Sequence, residues 1–322
     1  MSINGEKNLM NDQKETSHII GIRDMKEEYI QEILDQTYEI KKTPAKYSNS
    51  LNGKILALAF WEPSTRTRLS FESAMLRLGG TCMGFSSQAG TSIEKGESLS
   101  DTITMLASYS DCIVIRHPHR GSAKLAAKIA SRQGVSVISG GSGSQEHPTQ
   151  ALLDIFTIHE KCKRLDGLNV GLVGDLRYSR TISSLLFALS KFGRNTIYSI
   201  SHPTLSLQEE LLFDLEDSNL NIINLENLGD IIGELDVLYV TRLQKERFPD
   251  PMLFNKVRGS YQVHPSLMKL AKDSLIIMHP LPRVDEIPYA IDQLPQALYF
   301  EQAKNGVYTR MALLKKLLEH RK

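Results

Sequence analysis

Short apolar, β-branched runs alternate with helical stretches along most of the 322-residue chain. The apolar runs fall at 54–60, 111–116, 135–139, 168–174, 195–201, 236–241 and 274–279. Between them, 25–42, 65–78, 98–108, 122–132, 149–162 and 181–192 repeat their apolar residues at helical spacing; in the first, Ile30, Ile33, Leu34 and Tyr38 share one face. Continuous apolar strands separated by amphipathic helices predict βαβ units, and so parallel sheets covered by helices on both faces. At about 150 residues per domain the length suits two domains. The expected fold is therefore α/β: two doubly wound domains, each a parallel sheet flanked by helices, with ligands in the cleft between them.

The Gly/Ser-rich run 139–144, followed by His147-Pro148, has turn composition and leads into a long helix. It is the expected seam, dividing the chain into 1–148 and 149–304. A helical segment with Val307, Met311, Leu314 and Leu318 has no obvious strand after it. Its 305–322 part is expected to pack back on the first domain.

Charge and cysteine content narrow the function classes. Lys and Arg number 38 against 37 Asp and Glu, which argues against a dedicated nucleic-acid or membrane-surface binder. Cys82, Cys112 and Cys162 are odd in number and form no close pair, so a disulfide framework or local zinc site is not expected and a cytoplasmic setting is. No apolar run approaches the roughly 18 residues that cross a bilayer. The first seventeen residues mix acidic and basic side chains without an apolar stretch, and read as a polar leader rather than a signal or transit peptide.

Chemistry concentrates where strands end. The run 54–60 leads into Glu62-Pro63-Ser64-Thr65-Arg66-Thr67-Arg68 and then a helix. Backbone N–H groups at a helix start, joined by three hydroxyls and a guanidinium, make a cradle for a dianionic phosphate. Arg116-His117-Pro118 closes the next clear strand, and His147-Pro148-Thr149-Gln150 opens the helix after the glycine run. Ligands of open α/β sheets gather at such carboxyl ends. In Gly171-Leu172-Val173-Gly174-Asp175 the glycines lack dinucleotide spacing, and bulky Leu176, Arg177 and Tyr178 fill the phosphate turn. It reads as a tight turn that places Arg177 and Arg180.

Phe60-Trp61-Glu62-Pro63-Ser64-Thr65-Arg66-Thr67-Arg68, Arg116-His117-Pro118 and His147-Pro148-Thr149-Gln150 together resemble the aspartate/ornithine carbamoyltransferase family, in order and spacing, from about His18 onward. The resemblance implies a carbamoyl-phosphate-binding first domain and an amino-acid-binding second one. Two acceptors compete. A dicarboxylate needs several cationic forks, which Arg180 and Arg242 with Gln244 supply. His279-Pro280-Leu281-Pro282 stands where the ornithine enzymes resemble one another in His-Cys-Leu-Pro, and their Ser-Met-Gly loop is missing. The chain is similar to the aspartate branch, which implies carbamoyl transfer from carbamoyl phosphate to the α-amine of L-aspartate in pyrimidine synthesis. The rival readings are another amino acid acceptor and a non-catalytic assembly partner.

The resemblance also implies roles. Ser64, Thr65, Arg66, Thr67 and Lys95 would hold the phosphate; Thr67, Arg116 and His147 would face the carbonyl oxygen. Gln150 with the carbonyls of Pro280 and Leu281 would orient the carbamoyl amide, and Arg180, Arg242, Gln244 and Leu281 would line the aspartate site. Ser92 and Lys95, on the polar loop 91–97, would reach into a neighbouring subunit's site, which implies a homotrimer with shared sites. Glu62 would pair with Arg180 or Arg247 across the cleft, and Leu281-Pro282 would be cis. No metal or organic cofactor is expected, and a regulatory chain, where one exists, would be a separate polypeptide. Where relatives usually carry Gly-Asp-Gly before the histidine motif, this chain has Gly141-Ser142-Gly143, so the loop lacks that carboxylate.

Overall fold

The computed structural model describes residues 18–143, 146–243, 252, 254 and 261–319. Two all-parallel sheets form its centre. The first contains β1 (Ile55–Phe60), β2 (Thr81–Phe85), β3 (Cys112–His117) and β4 (Ser136–Ser142) in the order β2-β1-β3-β4. The second contains β5 (Asn169–Val173), β6 (Asn195–Ile200), β7 (Leu220–Leu225), β8 (Val237–Val240) and β9 (Ile276–Met278) in the order β7-β6-β5-β8-β9. Helices α1 (Glu27–Lys42), α2 (Thr65–Arg77), α3 (Leu99–Tyr109), α4 (Ser122–Ala130), α5 (Pro148–Cys162), α6 (Arg180–Leu189), α7 (Glu209–Asp214) and the C-terminal helix Tyr299–Leu318 lie around them.

Local chemistry accounts for these elements. Central β1 is buried along nearly its whole length and so reads as a continuous apolar run. In α1, Ile30, Ile33, Leu34, Thr37 and Ile40 form the buried stripe, with Glu27 and Glu28 at the positive end of the helix dipole and Lys41 and Lys42 at the negative end. Pro148 opens α5 at a position where its missing N–H costs no hydrogen bond. The Ser98 hydroxyl accepts from the Asp101 amide and caps α3.

Two expectations are corrected. Strands β2 and β7 lie where no strand is expected, because both are partly exposed sheet edges whose polar residues and glycine interrupt any apolar run. Residues 139–142 are not a loop: β4 continues through them to Ser142, beside a register shift against β3 at Arg116. One apolar cluster runs from Ile33, Leu58 and Phe71 through Leu152 and Phe156 to Val170, Leu185 and Tyr239, so both sheets pack on a shared middle layer. Separate clusters fill their outer faces.

The C-terminal helix packs against α1, α2 and α5, and α5 also packs against α6. Among the described residues no helix is long and apolar enough to cross a membrane, and Cys82, Cys112 and Cys162 are all free thiols.

Gly174, just beyond β5, has φ +111°, and a Cβ there would lie 2.2 Å from the Thr241 carbonyl oxygen. Both constraints require glycine. Gly174→Ala is therefore expected to destabilise the chain by about 2 kcal/mol, read as a lower urea midpoint; an unchanged midpoint would contradict the close approach of this turn to β8.

Candidate active site

The order of each sheet reverses once, between β1 and β3 in the first and between β5 and β8 in the second. At such switch points neighbouring loops diverge and leave a crevice beyond the carboxyl ends. The two crevices join in one cleft of about 1090 Å³.

Ser64, at the end of the loop after β1, and Thr65, Arg66 and Thr67, in the first turn of α2, line this cleft. Ser64 stands at the N-cap of α2, but its hydroxyl does not cap the helix. First-turn amides and hydroxyls are thus available to an anion, and Arg66 adds charge even though burial lowers its pKa. Arg116 enters from the end of β3. Its Nη1 donates to the Gly140 carbonyl at 3.0 Å, and its Nε lies 3.7 Å from Glu62. Burial, and then the charge of Arg180, lower its pKa to about 10, so it stays cationic at neutral pH.

Arg180, at the start of α6, donates from Nη1 to the Gly143 carbonyl at 2.8 Å and lies 3.9 Å from Glu62. Glu62 thus stands between two guanidinium groups from the two sheets. Gly141 lets them come together: its φ is +104°, and a Cβ there would lie 3.0 Å from Arg116 Nη1 and 3.2 Å from Arg180 Cζ. Arg242, after β8, lines the same cleft. Gln244 and Arg247 lie outside the described residues.

His147 is 5% exposed, and its backbone N–H donates to the Ser184 hydroxyl of α6 at 2.9 Å. Burial, then Arg180, Arg116 and Arg310, push its pKa well below the ordinary 6.5. The ring is neutral and sits among cations. Ahead of it, Glu146 accepts from the amides of Ile22 and Arg23, which ties the loop to the N-terminal segment without the carboxylate missing at Ser142.

Gln150 lies one helical turn into α5 and lines the cleft. Opposite, Pro280 and Leu281 follow β9 on a loop built around His279, whose Nδ1 accepts from the Leu281 amide at 2.7 Å while Nε2 donates to Glu286 at 2.7 Å. Leu281 has φ +58°, and Leu281-Pro282 is cis. Ser92 and Lys95 are apart from all of these: they sit on an exposed 3-10 turn, outside the cleft of their own chain.

Several cleft groups carried no motif. Arg310, on the C-terminal helix, is 3% exposed, donates to Ser70 Oγ at 2.9 Å and stacks over Phe71. Burial lowers its pKa to about 10. Gly306 makes room for it, since a Cβ there would lie 2.4 Å from Arg310 Nη1. Behind Gln150, the fully buried Asp154 is held up at about 7 by burial, against the donors Gln302, Tyr239 and Gln150. A charged residue at an apolar helical position is the one sign that either leaves in the sequence. Among the described residues no three His, Cys, Asp or Glu side chains gather as a metal site.

The geometry defines a cationic cleft lined by groups that follow strands of both sheets, a form suited to anions. The chain belongs to the aspartate/ornithine carbamoyltransferase family: the carbamoyl-P binding domain model matches residues 17–160, and the Asp/Orn binding domain model matches 166–317. It is 48% identical over 307 residues to the aspartate carbamoyltransferase catalytic subunit of Methanocaldococcus jannaschii, covering 94% of this chain and 98% of the relative. It is 52% identical over 285 residues to that of Pyrobaculum arsenaticum, covering 87% and 92%. The crystal structure of the M. jannaschii catalytic subunit superposes with a TM-score of 0.88 at 47% identity, covering 94% of this chain and 98% of that one. Aspartate transcarbamoylase from Trypanosoma cruzi, in complex with N-(phosphonacetyl)-L-aspartic acid, also superposes at 0.88, with 35% identity and coverage of 94% and 96%.

His147 is expected to remain neutral in an imidazole NMR titration at pH 6.5, where an exposed histidine is half protonated. A protonated ring at that pH would contradict its burial among the three arginines.

Proposed function

We propose that the cleft transfers the carbamoyl group of carbamoyl phosphate to the α-amine of L-aspartate, releasing N-carbamoyl-L-aspartate and phosphate. The observation that carries this is the pairing of Arg116 and Arg180 around Glu62, which brings cationic groups of both sheets to one cleft. It is supported by relatives named for this activity and by a similar structure that holds a ligand joining a phosphonate to aspartate.

In this reading residues 1–148, with the C-terminal helix, bind carbamoyl phosphate, and 149–304 bind aspartate. Ser64, Thr65, Arg66 and Thr67 hold the phosphate group and stabilise it as it leaves. The amine attacks the carbonyl carbon, and charge develops on the carbonyl oxygen, toward which Thr67, Arg116 and His147 donate. A neutral His147 suits a hydrogen-bond donor better than a base, and the leaving phosphate takes the amine's proton. Gln150 and the carbonyls of Pro280 and Leu281 orient the carbamoyl NH₂. Arg180 and Arg242 receive the aspartate carboxylates beside Leu281, with Gln244 the further expected contact. Preorganised charge and the holding together of two anions supply most of the acceleration.

A colorimetric assay for carbamoyl aspartate, run with a panel of amino acid acceptors, tests the reaction. Product formed with aspartate, and not with ornithine, is expected; ornithine preference would overturn the acceptor assignment. Arg66→Ala should lower kcat/KM by about 10²–10³, and near-normal turnover would remove Arg66 from the phosphate site.

The exposed Ser92 and Lys95 complete a neighbouring subunit's site in this reading, as a homotrimer allows. Mixing inactive Lys95→Ala and Arg66→Ala chains should then restore activity through sites that draw each residue from a different chain. No recovery after verified subunit exchange would mean that each chain is self-sufficient.

A further inference from the structure

Asp154 takes no place in the transfer just described, yet it lies at the meeting point of three elements. Its Oδ1 accepts from Gln150 Nε2 at 2.8 Å and from Gln302 Nε2 at 2.7 Å, and its Oδ2 accepts from the Tyr239 hydroxyl at 2.8 Å. Gln150 is one turn earlier on α5, Gln302 is on the C-terminal helix and Tyr239 is on β8. Asp154, Tyr239 and Gln302 are all essentially buried.

The direction of each hydrogen bond follows from chemistry. Gln302 Oε1 accepts from the backbone N–H of His279 at 2.9 Å. That N–H can only donate, so the Gln302 amide must turn its oxygen to His279 and its NH₂ to Asp154. Asp154 Oδ1 accepts from Gln302 and, whether as a carboxylate oxygen or as the carbonyl oxygen of the acid, from Gln150 as well, so Gln150 likewise turns its NH₂ inward. What Gln150 has left for the cleft is its carbonyl oxygen. On the other side, the Gln302–His279 bond fixes the start of the loop that carries Pro280 and Leu281. The two sources of acceptor oxygen facing a carbamoyl NH₂ therefore converge on one buried carboxyl oxygen.

We infer that Asp154 is a positioning residue for donor selectivity: through Gln150, and through Gln302 to the 279–281 loop, it orients the acceptors that recognise the NH₂ of carbamoyl phosphate. The inference rests on the carbamoyl transfer proposed above. It makes the enzyme's preference for carbamoyl phosphate over acetyl phosphate, which has methyl in place of NH₂, depend on a residue that touches neither.

The test uses the full chain and measures the ratio of dissociation constants for acetyl phosphate and carbamoyl phosphate. Asp154→Leu keeps the volume but offers no acceptor, so both glutamine amides are released and the preference should fall about tenfold, the scale of one lost hydrogen bond. Asp154→Asn can keep an oxygen on the two glutamines and turn its NH₂ to the Tyr239 oxygen, so it should retain most of the preference. A folded Leu variant that weakens both donors equally would overturn the inference, as would an Asn variant as unselective as Leu. Should the Leu variant fail to fold, Gln302→Met, which cuts only the branch to His279, decides the matter: a reduced preference upholds the inference and an unchanged one overturns it. Failure of the parent reading would appear separately, as a wild-type chain that forms no carbamoyl aspartate.

Discussion

Like charges gathered in one cleft repel, and the fold must hold them together. Arg66, Arg116, Arg180, Arg242 and Arg310 all line the cleft. At close range and in a partly desolvated site, each pair costs several times what it would in water. The strain is visible in Arg116, whose pKa falls to about 10 through burial and then Arg180. Glu62 between Arg116 and Arg180 offsets part of the repulsion. The Gly140 and Gly143 carbonyls offset more by accepting from the two guanidinium groups. The local architecture follows this at Gly141 in β4, where a side chain would collide with both arginines. In the proposed reaction two anionic substrates complete the charge balance, so attraction to them is stored in the protein before they arrive.

Neutral groups in this field have work of a different kind. Burial first, and then the neighbouring cations, keep His147 neutral, and both would penalise any step that charged it. Proton removal from an incoming amine is then easier at a departing phosphate oxygen than at this ring. Asp154 lies behind the cleft wall, where burial raises its pKa to about 7 and Arg310 favours the ionised form. The wall is thus layered, with cations and a neutral imidazole at the cleft and the Asp154 carboxyl group behind, accepting from neutral amides.

The sequence disclosed those parts that follow from local rules. Parallel central strands are buried on both faces, and their apolar runs can be read directly; β1, β3, β5 and β8 stand where such runs occur. The edge strands β2 and β7 escaped because half-exposed strands need no such run. The hydroxyl-rich turn before α2, Arg116, His147 and the 279–282 loop were legible because their chemistry is contiguous in the chain and lies at strand ends. Arg310 and Asp154 are placed by partners more than 100 residues away, such as Thr149 and Gln302. No spacing rule encodes those meetings. Gly306 shows the same limit: it reads as a weak point in a helix until the Arg310 guanidinium is seen to occupy the space a side chain would need.

The near-equal totals of 38 basic and 37 acidic residues exclude a globally charged surface and say nothing about local fields. The partners of the acidic residues show how such a balance coexists with a cationic cleft. Asp111 meets Lys54, Asp236 meets Arg164 and Lys272, Asp292 meets Arg283, and Glu160 and Glu301 meet Lys41, all away from the cleft. Glu62 is the acidic side chain that lines the cleft itself, among the described residues. Neutralisation at the periphery leaves the uncompensated charge at the two switch points, where the shared middle layer of core holds both sheets facing it. A field of this kind is a property of placement, and it needs no excess of basic residues in the chain.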